Sequence, residues 1–242
     1  MEKRISLITV YNNEKLVREM TDSAAVQQGV SVEYILLDNR GRKFKSAAAA
    51  LNEGIEKSTG EVLVFLHQDI EFLSEGVLED IYDYAVKNKR VIFGSAGVER
   101  RTDSKTGGGL LSSMFAGPDK TKYNTLSQPQ KAFTLDECLI ACHRSCVNEL
   151  RFDERVCDGW HLYGADLCLQ AQALYRLEVY AVPIDCWHKS NGNADESYFE
   201  CQERLGKKYR KYYKIVNTTN GYVYTNTLKR FIQKAYRKIR YR

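Results

Sequence analysis

No apolar run in these 242 residues approaches the roughly 18 to 20 that a bilayer crossing needs. The sequence therefore predicts no membrane span. No leader precedes the first strand pattern, since Met-Glu-Lys-Arg-Ile-Ser-Leu enters it directly, and the expectation is a chain without a signal peptide. Seven cysteines is an odd number, spread without paired spacing, which argues against a disulfide framework and for reduced thiols in a cytoplasmic protein. Cys138, Cys142 and Cys146 are spaced four and four, which is not the pairing a zinc site uses, and are expected in the core. No internal repeat and no low-complexity tract is present. The turn after the first strand pattern, Val10-Tyr11-Asn12-Asn13-Glu14, contains no glycine, and nowhere does Gly-Lys precede Ser or Thr. The two commonest nucleotide-binding loops are thus absent. Acidic residues are missing from the whole C-terminal stretch after Glu203.

What remains is an ordinary globular composition, 43% hydrophobic and 28% charged, with enough apolar mass for a core. Strand patterns at 5–10, 32–37, 61–66 and 91–98 alternate with helical patterns at 13–28, 46–57 and 74–87. That order predicts an α/β fold with a mostly parallel central sheet flanked by helices. Residues 99–130 are polar and rich in glycine, a loop long enough to imply function. Further strands are expected at 133–142 and 177–182. Helices are expected from near Asp166 and at about 195–215 and 225–240.

Polar residues cluster where the predicted strands end. Tyr11, Asn12 and Asn13 follow the first, Asp38 and Asn39 the second, and His67, Gln68 and Asp69 the third. Ligands of open α/β sheets bind at that edge. An aromatic ring and a carboxylate on neighbouring strands can hold a base and a ribose, and an Asp on the next can hold a cation against a diphosphate. Each residue alone would equally suit a turn.

With these residues in view, the chain resembles the family 2 glycosyltransferases of GT-A fold. The likeness runs from about residue 5 to 192. It rests on Ile-Thr-Val-Tyr-Asn, Leu-Leu-Asp-Asn, the block 50–69, Phe152-Asp153-Glu154, Tyr-Gly-Ala-Asp-Leu-Cys-Leu at 163–169, and Trp187-His188. The resemblance implies inverting transfer of a sugar from a nucleoside-diphosphate donor to an acceptor hydroxyl, with Mn²⁺ or Mg²⁺. His67-Gln68-Asp69 stands where the family carries Asp-x-Asp, so Asp69 is the expected metal contact and His67 is a departure. Asp38 matches the residue that meets the base or ribose. Asp166 matches the catalytic base, with Ala165 where relatives carry Glu. His188 matches a histidine that closes over the diphosphate as a second metal ligand.

The residues themselves agree in part. A carboxylate at a helix start, as expected for Asp166, is held ionised by the helix dipole and can take a hydroxyl proton. A plain helix cap would look the same. Asp158 is the rival base, and Trp160 and His161 are expected on the acceptor side. A neutral His188 imidazole could complete a metal shell with Asp69. The acceptor is expected to be a glycan, a lipid-linked sugar or a protein, in polysaccharide or glycoconjugate synthesis. A sugar nucleotidyltransferase is the alternative in the same fold, although no Gly-rich basic loop follows the first strand.

Charge divides the chain into a body at 1–203 and a basic tail at 204–242. The tail carries thirteen Lys and Arg and no acid, whereas the body carries 23 basic and 31 acidic residues. Leu228, Phe231, Ile232, Ala235 and Ile239 make an apolar stripe at helical spacing, with Lys and Arg on other faces. That stripe suits an anionic membrane surface, and equally suits packing on the body or on a second subunit. Nucleic acid is disfavoured as a partner, because its phosphates want basic charge across a whole face and the body is acidic.

Overall fold

The computed structural model describes residues 2–101, 108–192 and 194–240, the last three without their side chains. The first half runs β1 (Arg4–Tyr11), α1 (Glu14–Ala25), β2 (Ser31–Asp38), α2 (Ala47–Lys57), β3 (Val62–Leu66), β4 (Ile70–Phe72), α3 (Val77–Lys87), β5 (Val91–Gly94) and β6 (Ala96–Val98). Short strands follow: β7 (Leu110–Ser112), β8 (Phe115–Ala116), β9 (Thr121–Lys122), β10 (Gln130–Lys131) and β11 (Thr134–Leu135). The rest is β12 (Leu139–His143), a 3₁₀ turn at Arg144–Val147, α4 (Tyr163–Leu174), β13 (Glu178–Ala181), β14 (Cys186–His188), α5 (Glu196–Lys208), the hairpin β15 (Ile215–Thr218) and β16 (Gly221–Tyr224), and α6 (Thr227–Arg240).

Among the described residues the main sheet has seven strands in the order β10-β13-β5-β12-β3-β1-β2. The first three strands pair in parallel, as their alternation with helices predicts. The expected parallel neighbour of β3 is replaced by β12, which enters antiparallel between β3 and β5. The predicted strand 133–142 is also two strands, β11 and β12, with Asp136, Glu137 and Cys138 between them. An apolar run shows that a strand is buried but not which way it points, so the sheet is more mixed than its pattern suggests. The 99–130 stretch is not one irregular loop either, since it carries β7 to β10; its residues 102–107 lie outside the described residues.

All five residues of β3 are buried. Leu63 and Phe65 face one core with Ala47, Leu51 and Ile55 of α2 and Leu167 of α4. Val62, Val64 and Leu66 face the other, with Val17 and Met20 of α1 and Leu78 and Ile81 of α3. α2 approaches β1 so closely that a Cβ on Gly54 would stand 2.4 Å from Ile8 Cγ2. Asn13 caps α1 by accepting from the amides of Lys15 and Leu16, and Ser46 caps α2 through the amide of Ala49. The seven cysteines are free and buried, with Cys138 and Cys142 in the core as expected. No helix among the described residues is long and apolar enough to cross a membrane.

Residues 203 and 204, where the charge changes along the chain, both lie within α5. Lys208 Nζ lies 2.8 Å from Asp166 Oδ1, and the Tyr209 hydroxyl donates to the same oxygen at 2.7 Å. Asp153 is a second partner of Lys208. Removing one member of such a buried pair strands the other. Asp166→Ala should therefore destabilise the fold by about 3 kcal/mol, read from the urea midpoint at constant slope.

Candidate active site

The ends of β1, β2, β3 and α4 border a cleft of about 1080 Å³. At one side of it His67 and Asp69, which line the cleft, and His188, which lines an adjoining cavity, each offer a ligand atom, all within 4.8 Å of one another. His67 Nδ1 is 3.2 Å from His188 Nε2, which is 3.4 Å from Asp69 Oδ1. The Asp69 Oδ2 atom accepts the amide of Ser190 at 3.1 Å. Asp69 and His188 are each 7% exposed, so their pairing is shielded from water. Burial works against the Asp69 carboxylate, but the His188 contact and the Ser190 amide hold its pKa below the usual range. Burial and the neighbouring His188 lower His67 to about 4, so His67 is a neutral imidazole. Burial also opposes protonation of His188, and the Asp69 carboxylate outweighs it and raises the pKa. One carboxylate oxygen and two imidazole nitrogens, converging at a cleft wall, form a donor set that fits a divalent cation.

Several predicted residues line the cleft: Tyr11, Asn12, Asn13, Asn39, His67, Gln68, Asp69 and Trp160. Some of them hold the walls. Gln68 Oε1 accepts the amides of Asn12 and Asn13 at 3.0 and 2.9 Å, and its Nε2 donates to Asn12 Oδ1. The middle residue of the motif is thus a strut between β3 and the β1–α1 turn. Asn39 Oδ1 accepts the amide of Phe44 and shapes the loop after β2.

Other expected residues lie elsewhere. Asp166 is fully buried on the core side of α4 and does not line the cleft; Lys208, Tyr209 and Gln170 take up its carboxylate. Its pKa is raised by burial, against the pull of Lys208. Asp158 is paired with Arg204 off the cleft. Asp38 ends β2 as expected, but Arg40 grips its carboxylate through Nε and Nη2, which with the Arg40 amide lowers it to about 2. Asp38 does not line the cleft. His161 lies 3.4 Å from Asp195 and packs on Tyr198, away from the cleft.

Three groups of lining residues escaped the sequence reading. Arg40, Arg42 and Lys45 bring positive charge to the loop after β2, signalled by the basic run 40–45. Tyr163, at the start of α4, meets His67 Nε2 through its hydroxyl at 3.0 Å. Glu137 lies in the stretch taken as a continuous strand, where the adjacent pair Asp136-Glu137 was the overlooked signal.

The glycosyltransferase-like family matches residues 6–213. A Fuscovulum blasticum protein described as "ATP synthase subunits region ORF 6" is 28% identical over 205 residues, 79% of this chain and 77% of that protein. Among solved structures, S. aureus TarS aligns over 88% of this chain and 40% of its own, at 14% identity and TM-score 0.55. The mannosyltransferase PcManGT from Pyrobaculum calidifontis, in complex with GDP-Man and Mn²⁺, aligns over 87% and 63%, at 15% identity and 0.53. GalNAc-T7 with UDP, GalNAc and Mn²⁺ aligns over 86% and 48%, at 11% identity and 0.56. At such identities the likeness is one of fold, and this chain spans less than two thirds of each of those three structures. The match over most of its length and the GT-A architecture agree with the resemblance carried by the strand-end residues: the chain belongs to the glycosyltransferase-like family.

Proposed function

We propose that this chain transfers a sugar from a nucleoside-diphosphate donor to an acceptor hydroxyl, with inversion at the anomeric carbon. The observation that carries the reading is the cluster of His67, Asp69 and His188, of which His67 and Asp69 line a cleft that also presents Arg40, Arg42 and Lys45. A diphosphate needs both a cation and basic side chains, and the Tyr11 and Trp160 rings give a nucleoside apolar surface. PcManGT and GalNAc-T7, which share the fold, are complexed with GDP-Man or UDP and with Mn²⁺. A bound cation would neutralise the charge that builds up on the departing diphosphate. Asp69 and His188 would hold it, with His67 as the third donor. Two imidazole nitrogens favour Mn²⁺ over Mg²⁺, which takes oxygen ligands. The site offers less to a nucleotidyltransferase, because Gln68 closes the β1–α1 turn that would have to grip a triphosphate.

The outward face of α6 favours a membrane-borne acceptor. Arg230, Gln233 and Arg237 turn inward: Arg230 reaches the Thr225 carbonyl and Glu203, and the other two donate to the Tyr222 carbonyl. Leu228, Phe231, Ile232 and Tyr236 turn outward at 68, 70, 58 and 61% exposure. Leu228, Phe231, Ile232 and Ala235 of the expected stripe are thus exposed, and the Ile239 side chain lies outside the described residues. At 100° per residue, exposed Lys229 and Lys234 fall on the two flanks of the stripe, as in a helix lying in an anionic headgroup layer. Each basic residue there is worth about 1 kcal/mol. The acceptor would then be a lipid-linked sugar, in cell-surface polysaccharide or glycoconjugate synthesis, and the protein peripheral to the membrane.

Three measurements test the reading. UDP- and GDP-sugars should raise the melting temperature in the presence of Mn²⁺. Calorimetry with UDP or GDP and Mn²⁺ should lose its signal in Asp69→Ala; unchanged affinity would take Asp69 out of the metal site. The full chain should co-sediment with phosphatidylglycerol vesicles at low salt, and Phe231→Glu with Ile232→Glu should release it. If the wild type stays in the supernatant, the membrane contact is wrong, and a dimer on size exclusion would assign the stripe to a second copy.

A further inference from the structure

We propose that Glu137 is the catalytic base, taking the proton of the acceptor hydroxyl; this rests on the donor reading above. Among the carboxylates of the described residues, only Asp69 and Glu137 line the cleft. Asp69 is taken up by His188 and the Ser190 amide. Asp166 and Asp158 are tied to Lys208 and Arg204, and Asp38 to Arg40, all outside the lining. Asp136 borders an adjoining cavity of about 150 Å³, which His188 and Ser190 also line, and its carboxylate is held by the Thr219 hydroxyl and the Cys138 amide.

Glu137 is fixed from two sides. The next residue, Cys138, accepts the His67 amide through its carbonyl at 3.0 Å, which sets this segment against the end of β3. Glu137 Oε1 accepts the amide of Gly164 in the first turn of α4 at 3.2 Å. The contact depends on glycine: a Cβ at 164 would stand 3.2 Å from Glu137 Cγ and 2.6 Å from Ile140 Cδ1. The helix N-terminus favours the ionised carboxylate. Burial, with Asp136 beside it, pulls the other way and pushes the pKa up to about 8. A carboxyl with that pKa is largely protonated at neutral pH and becomes able to take a proton as the pH rises through about 8.

The step balances without a further reactant. The acceptor oxygen forms a bond to the anomeric carbon as the bond from that carbon to the diphosphate oxygen breaks. The bonding pair leaves with the nucleoside diphosphate, and the hydroxyl proton passes to a Glu137 oxygen and later to water. The displacement inverts the anomeric carbon.

Glu137→Gln keeps the shape and can still accept the Gly164 amide. UDP or GDP release from UDP-sugars and GDP-mannose is the readout, with water or a p-nitrophenyl glycoside as acceptor. Turnover should fall at least about hundredfold, while the donor KM and the calorimetric affinity for nucleoside diphosphate with Mn²⁺ stay within about twofold. Glu137→Asp should recover part of the rate, which a purely structural role at Gly164 would not give. Near wild-type turnover in Glu137→Gln overturns the assignment, and so does a dead Asp136→Asn beside an active Glu137→Gln. A wild type that binds no nucleoside diphosphate would overturn the donor reading itself, and this assignment with it.

Discussion

The contact between Asp69 and His188 fixes the geometry of the site. It joins the end of β3 to β14, two strands that belong to different sheets. The chain turns sharply at this point, with the Ile70 amide donating back to the His67 carbonyl, and enters β4 at once. β4 pairs antiparallel with β14, His188 opposite Ile70. The Lys189 amide closes on the Asp69 carbonyl, and the Lys189 side chain pairs with Glu19 and Glu71. The three residues of the cluster are thus set by backbone pairing, so a cation would meet donors already gathered. Preorganisation of this kind keeps the ordering cost low when the ligand arrives.

Electrostatics in the C-terminal part is less lopsided than its composition. Lys208 answers Asp153 and Asp166, Arg204 answers Asp158, and Arg230 answers Glu203. Some of the basic charge after residue 203 therefore neutralises the acidic body, which is why α5 and the β15–β16 hairpin belong to it. The basic side chains that face outward lie both before α6, at Lys207, Arg210, Lys211 and Lys214, and on it, at Lys229 and Lys234. An amphipathic helix normally turns its apolar stripe inward, and this one turns arginine and glutamine inward because the hairpin offers it backbone carbonyls at Tyr222 and Thr225.

Legibility in the sequence followed the locality of the interaction. β1, β2 and β3 were readable because each is a short apolar run closed by a polar turn, and the residues at their ends do gather at one edge. The metal-type cluster was readable as Asp69 with His188, and the structure adds His67, which the family pattern alone would have counted as a loss. Strand direction was not readable, since β12 carries the same apolar signature whichever way it runs. Asp166 could not be distinguished from a cleft carboxylate at all: a helix-start aspartate is buried or exposed according to Lys208 and Tyr209, some forty residues later. Asp38 lies outside the cleft lining for a nearer reason, the pairing of its carboxylate with the arginine two residues on.

The place expected for the base was nevertheless informative. The start of α4 borders the cleft through Tyr163, and its amides favour a negative charge there. A carboxylate on the helix itself is one way to supply that charge. Asp166 cannot, because in an α-helix it lies about 200° around from Gly164 and faces the core. The segment between β11 and β12 brings the Glu137 carboxyl to this helix start instead, and Gly164 leaves the room that a side chain would fill. The helix fixes where an anion is favoured, and the antiparallel entry of β12, which the sequence did not reveal, decides which residue delivers it.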